Sequence, residues 1–394
     1  MADNILYLDW PCFGKEDVME TFAEYGFSVI PFFHEEYTER KSAVFDRAFD
    51  KAVEGKEFRF CFSFNYYPLV SEGCKRHDIP YVSIVYDSPF VAVFSYTIIN
   101  PNNVVFLFDY DLYERLYREG IKTVYYLPLP VNPNRLNRTI ASGKSAYRDK
   151  HYEVSFVGSL YHEDHTFFDR MTDLSDFTRG YLDAVMDAQK KVYGCNFIEQ
   201  ALRPDILAEM QKSVPYGEDK YGVQSLEYVY ATYFVDRKIT QTERTELLNK
   251  VAGCYPLSVF TRDQNAPIPQ AKVYGTIDYY KDMPHVFYNS KINLNITLRS
   301  ITSGIPLRAM DIMGCGGFLL SNFQNDFLRH FVPDEDFAYF ESAEDLLQKI
   351  GYYLEHDKER AEIAENGKRK AQAISYRNVF DEILALLEER SSCS

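Results

Sequence analysis

Short apolar runs alternate with amphipathic stretches through the first third of the chain. Residues 5–9 (ILYLD) form a strand-length run that ends on a polar residue. In the following EDVMETFAEYG, Val18, Phe22 and Tyr25 share a helical face and Gly26 stands where a helix terminates. Residues 27–33 predict a second strand and 37–53 one long amphipathic helix. FRFCFSF (58–64), IPYVSIV (79–85) and VVFLF (104–108) predict further strands, separated by helix-length segments. Such alternation implies βαβ units and a parallel sheet with both faces covered. The three prolines of LPLPVNPN (127–134) predict a linker.

The pattern then restarts with YEVSFVG (152–158), a buried strand that ends in glycine. Residues 162–250 carry helical periodicity with few β-branched runs, as expected of a helical insertion. PLSVF, AKVYG and INLNIT follow as short strands, IPLRAMDIM as a helix and GGFLLS as another strand. In the helical tail Val379, Ile383 and Leu387 lie on one face. The expected architecture is two α/β, Rossmann-like domains, 1–135 and 150–370, with 371–394 as a closing helix. Open parallel sheets bind ligands outside the carboxyl ends of their strands, so the site is expected in a cleft where two such crevices face each other.

Composition narrows the function. The 394 residues suffice for two or three domains. A formal charge of −15 disfavours nucleic acid, although a few local donors still suffice for a small nucleotide. Seven dispersed cysteines without a C-x-x-C pair read as reduced thiols. The N-terminal stretch lacks the basic and apolar regions of a signal peptide, and no run reaches the ~18–20 apolar residues of a membrane span. The expected location is cytoplasmic.

Residues 292–321 carry the most chemistry. After the strand come Thr297, Arg299, Ser300, Thr302, Ser303 and Gly304, and a helix is expected to begin near Pro306. Free amides at that start, with Gly304 allowing close backbone approach, suit a phosphate. Arg308 is placed for diphosphate oxygens and Asp311 for vicinal ribose hydroxyls. An exposed Arg–Asp pair on a capped helix is the plainer account of the same residues. Asp87, after the strand 79–86 and before Ser88 and Pro89, is the candidate general base. His34 is its runner-up, and Asn65, at the end of the preceding strand, is expected to contact an acceptor or orient Asp87. Asp109 and Asp111 form a D-x-D after a strand, a metal–diphosphate signature, but Asp111 with Glu114 also fits a capping box. His162, Glu163, Asp164 and His165 read better as a solvated helix start than as a metal site.

The run Ser303-Gly304-Ile305-Pro306-Leu307-Arg308, with Asp311 and Gly314-Cys315-Gly316-Gly317, resembles the donor-binding stretch of GT-B glycosyltransferases. More narrowly it resembles the spore-protein CgeB-like family, whose pattern is close to S-G-x-P-x-R-x-x-E-x-x-x-C-G-G. Residues 62–89, 127–132 and 331–371 resemble other parts of that family, which occurs in bacterial sugar and flagellar-modification loci. The resemblance implies metal-independent transfer of a sugar from a nucleotide-sugar, expected to be a UDP-sugar, to a protein, glycan or other hydroxyl. No further cofactor is implied. It also implies Gly158 and Ser159 near the diphosphate, Tyr274 and Gly275 near the base, and Asn295 and Thr297 beside the sugar. Where many retaining enzymes carry two glutamates, this chain has Ser303 and Asp311. Two alternatives remain open: a nucleotide-sugar epimerase on the same fold, or a non-catalytic nucleotide-sugar-binding or assembly protein.

Overall fold

The computed structural model describes residues 3–162, 166–217 and 219–392. Its described residues fall into two compact units. One draws on 3–129, 219–224 and 374–392, the other on 130–162, 166–217 and 225–373.

The first unit is a six-stranded sheet: β1 Asn4–Leu8, β2 Ser28–Phe32, β3 Phe60–Phe64, β4 Tyr81–Val85, β5 Asn103–Leu107 and β6 Val124–Tyr126. The spatial order is β2-β1-β3-β4-β5-β6, and every pairing is parallel. β3, β4 and β5 are buried at every residue, which explains sequences that are apolar but for Ser63, Ser83 and Asn103. Pro31 sits in β2, an edge strand, where a missing N–H is tolerated. The helix Tyr376–Ser392 belongs to this unit, with the Phe380 ring 5.0 Å from Phe22 and 5.6 Å from Phe62.

The second unit is also all-parallel: β7 Tyr152–Val157, β8 Leu257–Phe260, β9 Lys272–Tyr274, β10 Ser290–Asn295, β11 Leu319–Asn322 and β12 Ala338–Phe340. Its order is β12-β11-β10-β7-β8-β9, a doubly wound sheet whose winding reverses between β7 and β10. In the first sheet the reversal falls between β1 and β3. Val154, Phe156, Val259, Leu294 and Leu320 from the strands pack with Leu248, Val251, Leu346 and Ile350 from helices. The turn into β11 requires glycine: Gly316 has φ +79°, and a Cβ on Gly317 would lie 2.7 Å from the Phe287 carbonyl oxygen.

Four local expectations change. Residues 37–53 are not one helix: a 3-10 turn Glu35–Thr38 precedes the helix Ala43–Val53, because Ser42 caps Phe45 N at 2.9 Å. The proline-rich segment leads directly into a helix, Pro133–Ala141, where Asn132 is the cap and Pro133 takes the first turn. The stretch 162–250 is not wholly an insertion. Its last helix, Asp236–Cys254, sends Leu247, Leu248 and Val251 into the second core and is the crossover from β7 to β8. Residues 219–224 cluster with the first unit, where Val223 N donates to Phe94 O at 2.9 Å. Finally, Asp109 rather than Asp111 caps the helix Tyr110–Arg118, and Glu114 pairs with Arg118 at 2.9 Å.

Candidate functional site

At the reversal of the second sheet, β7 ends at Val157, with Gly158 next, and β10 ends at Asn295. A Cβ on Gly158 would stand 2.9 Å from Arg308 Nη1, so the guanidinium lies against this strand end. Arg308 is the second residue of the helix Leu307–Gly314. That start has Pro306 at its cap position and no side-chain cap, so the Leu307 and Arg308 amides have no intrahelical acceptor. Arg308 Nε is buried and has no hydrogen-bond partner among the described residues. Burial, and then the like charge of Arg244, lower its pKa to about 10, partly offset by Tyr161 and Asp311. It remains charged at neutral pH, half-buried, with its Nε enclosed and no counter-ion at hydrogen-bond distance among the described residues.

Arg244, which the sequence reading did not single out, fastens both sides of the reversal. Its Nη1 donates to Ser159 O at 2.6 Å and its Nε to Ile296 O at 2.9 Å. Its guanidinium and that of Arg237 each lie 5.1 Å from the Tyr161 ring centroid. Tyr161 holds a left-handed backbone with φ +59°, unusual for a bulky residue. Its amide is taken by Ser159 Oγ at 3.0 Å and its carbonyl by Gln241 Nε2 at 2.7 Å.

Asp311 is buried, and its Oδ1 accepts from the Tyr279 hydroxyl at 3.2 Å. The Arg135 guanidinium lies 5.4 Å from the Tyr279 ring and 5.0 Å from that of Tyr280. Tyr274 stacks on Phe260 at 4.6 Å and 11°, which covers one ring face, and Gly275 follows it half-buried.

Other expected contacts are displaced. Asn295 and Thr297 do not open toward a ligand: Asn295 Nδ2 donates to Thr297 Oγ1 at 3.0 Å and Ser321 Oγ at 2.9 Å, and both residues are buried. They lock β10 to β11. Ser303 and Gly304 lie beneath the surface, their carbonyls accepting from Asp326 N and Gln324 Nε2. The helix itself starts at Leu307, so its first-turn amides are those of Leu307 and Arg308. Arg299 is spent on a buried pair with Glu243, with Nε 2.8 Å from Oε2.

In the first unit, Asn65 and Asp87 meet at the ends of β3 and β4. Asn65 Nδ2 donates to Asp87 Oδ2 at 2.7 Å, and Asn65 Oδ1 accepts from Tyr86 N and Asp87 N at 3.1 and 3.2 Å. Asn65 achieves this from φ +57°, a conformation asparagine tolerates. The Asp87 side chain reaches solvent yet is thickly surrounded by protein, which raises its pKa above the ordinary carboxylate value against the lowering effect of Asn65. His34 is engaged differently: its Nδ1 accepts from Glu36 N at 3.2 Å to cap the 3-10 turn. In neutral imidazole that leaves the proton on Nε2, so no free basic nitrogen remains. His162 Nε2 lies 2.8 Å from Thr245 Oγ1, while Glu163, Asp164 and His165 lie outside the described residues. Among the described residues no cluster of three metal-ligating side chains occurs, and no helix is long and apolar enough to cross a membrane.

Solved structures align with the chain end to end. The sucrose-phosphate synthase tll1590 from Thermosynechococcus elongatus superposes with a TM-score of 0.53 at 12% identity, covering 99% of this chain and 100% of its own. A glycosyltransferase from Rickettsia africae gives 0.53 at 10%, covering 99% of each chain. Anabaena Alr3699/HepE in complex with UDP-glucose gives 0.53 at 10%, also covering 99% of each. The fold is GT-B. Residues 248–385, about a third of the chain, match the family described as glycosyl transferase-like. Within the GT-B fold that match covers β8 to β12 and most of the closing helix, so it includes Arg308 and Asp311 but ends short of Arg244 and Gly158. No curated protein matches the chain.

Proposed function

We propose that this protein is a glycosyltransferase that moves a sugar from a nucleoside diphosphate donor, UDP-sugar in the first instance, to an acceptor hydroxyl. The observation that carries the reading is Arg308: a half-buried, charged guanidinium with a buried, unsatisfied Nε, on the first turn of an uncapped helix and against Gly158, the glycine that follows β7. Enclosing part of a charged group with a donor left unpaired is unfavourable without an acceptor beside it. A diphosphate supplies one, and its developing charge as the leaving group departs is what fixed donors stabilise best. The glycosyl transferase-like match and the UDP-glucose complex of HepE support the choice of donor. The Ser303–Gly317 motif favours the narrower CgeB-like assignment.

In this scheme the bond between the anomeric carbon and the diphosphate oxygen breaks as the acceptor oxygen bonds to that carbon. The acceptor proton passes to Asp87. Asn65 fixes one carboxylate oxygen of Asp87 and leaves the other available, and the raised pKa improves it as a base. Asp311, steadied by Tyr279, receives the ribose hydroxyls. Arg244 acts as a positioning residue, setting the distance between the two strand ends.

Binding and turnover test this separately. UDP at a hundredfold excess over Kd is expected to stabilise the protein by ~2.7 kcal/mol in thermal melts. Arg308→Leu is expected to abolish that shift while leaving the unliganded protein about as stable, since the change removes an enclosed Nε that has no hydrogen-bond partner among the described residues. Asp87→Asn is expected to keep the UDP shift and lower turnover ~10²–10⁴-fold. A melting temperature indifferent to every nucleoside diphosphate and its sugars defeats the proposal.

A further inference from the structure

Aromatic side chains gather at the carboxyl ends of the first sheet, and the scheme above does not use them. Trp10 follows β1, Tyr37 follows β2, Tyr67 follows β3 and Tyr86 follows β4. Trp10 lies nearly parallel to Tyr37, at 6.3 Å and 25°, and to Tyr86, at 6.4 Å and 22°. It meets Tyr67 edge-on at 6.1 Å, and Tyr67 meets Tyr37 at 5.0 Å. Trp10 Nε1 is tied to Phe64 O at 3.1 Å, which fixes the indole on the sheet. Trp10, Tyr37 and Tyr86 are only half-buried, and Phe33, 5.9 Å from Tyr37, is 53% exposed. A packed core would have covered these rings.

The charge around the cluster limits what it can bind. Asp87 directly follows Tyr86, reaches solvent, and acts electrostatically on Tyr67, Tyr86 and Cys12. The neighbouring cation Lys15 is already paired with Asp9 at 2.5 Å. An anionic ligand would meet a carboxylate and an occupied lysine. A neutral molecule with hydroxyls on its rim and C–H groups on its face suits both features. Ring faces carry negative charge density that attracts C–H groups, and a carboxylate accepts from hydroxyls.

We propose that this aromatic wall binds a carbohydrate acceptor, its ring lying against Trp10, Tyr37 and Tyr86 and one hydroxyl presented to Asp87. The proposal rests on the reading of Asp87 as the base, and it narrows the acceptor from any hydroxyl to a sugar.

Trp10 is the only tryptophan in the chain, so the emission of the intact protein reports on this wall alone. The experiment titrates the full-length protein, without donor, with methyl β-glucopyranoside, cellobiose and maltose, and with benzyl alcohol as an aryl probe. UDP binding is followed separately by calorimetry. At least one saccharide is expected to shift Trp10 emission saturably, with half-saturation in about the millimolar range. Tyr37→Ala, on an exposed turn, is expected to weaken that response about fivefold and leave UDP binding unchanged. Normal UDP binding with no saturable response to the three saccharides up to about a hundred millimolar overturns the carbohydrate acceptor and spares the donor reading. A response to benzyl alcohol alone overturns it in favour of an aryl acceptor. A saccharide response without UDP binding upholds the wall and removes the donor reading instead.

Discussion

A Cβ on residue 158 would stand 2.9 Å from Arg308 Nη1 and 3.3 Å from Phe156 Cζ. The nearer obstacle is the far end of a flexible side chain, so the fold can accommodate it, but only by moving the guanidinium. Gly158→Ala is therefore expected to cost little stability yet weaken UDP binding by about tenfold, ~1.4 kcal/mol, measured by calorimetry beside thermal melts. An equal loss in both measurements would make Gly158 a packing glycine only. Residue by residue, the sequence was informative where backbone demands and side-chain chemistry coincided. Gly158, Arg308 and the Asn65–Asp87 pair stand at strand ends or a helix start, positions visible as breaks in apolar patterning. Asn295 and Thr297 stand at an equally visible break, but their side chains turn inward and satisfy each other. Nothing in a linear pattern records that. Arg244 was missed for the opposite reason: its chemistry comes from two carbonyls far away in sequence, Ser159 and Ile296.

Among the elements, the helix Asp236–Cys254 shows best what periodicity conceals. It opens directly from a π-helical turn, Tyr230–Val235, with no capping side chain and no terminator between them. The sequence therefore reads as one continuous helical tract, and the β7–β8 crossover was hidden inside an apparent insertion. Its first residue, Asp236, is buried, with Asn196 Nδ2 2.9 Å from both carboxylate oxygens. Burial raises the pKa from 3.8 to about 7, against the lowering effects of Asn196 and Arg299. With the folded pKa above the unfolded one, the folded state holds an extra proton between these values. The Asp236 contribution to stability therefore falls as pH rises from about 4 to 7 and is level above that. Asp236→Asn cannot ionise, so urea midpoints for the variant and the parent are expected to diverge in the variant's favour across that interval. Parallel midpoints at pH 5 and pH 8 would show that Asp236 carries no buried proton.

On the scale of the whole molecule, alternating strands and helices were enough to predict two parallel-sheet units. The path of the chain between them was not, because residues 219–224 carry no pattern that sets them apart from the helices around them. Each unit nevertheless has its own core, and that separation can be measured. Phe380 contacts Phe22 and Phe62 in the first unit and is absent from the second core, which gathers Phe156, Leu248, Leu294 and Phe340. Truncating such a buried phenylalanine costs ~3–5 kcal/mol. Amide exchange resolves where the loss is felt, because protection tracks the local opening free energy. Phe380→Ala is expected to speed exchange in β1 and β3 and leave β7 and β10 close to the parent. Saturating UDP is expected to do the converse, slowing exchange in β7 and β10 while β1 and β3 stay unchanged. Equal acceleration of both sheets by Phe380→Ala would mean that the two cores open as one cooperative body. UDP protection concentrated in β1 and β3 would place the nucleotide on the first sheet and take Arg308 out of its binding site.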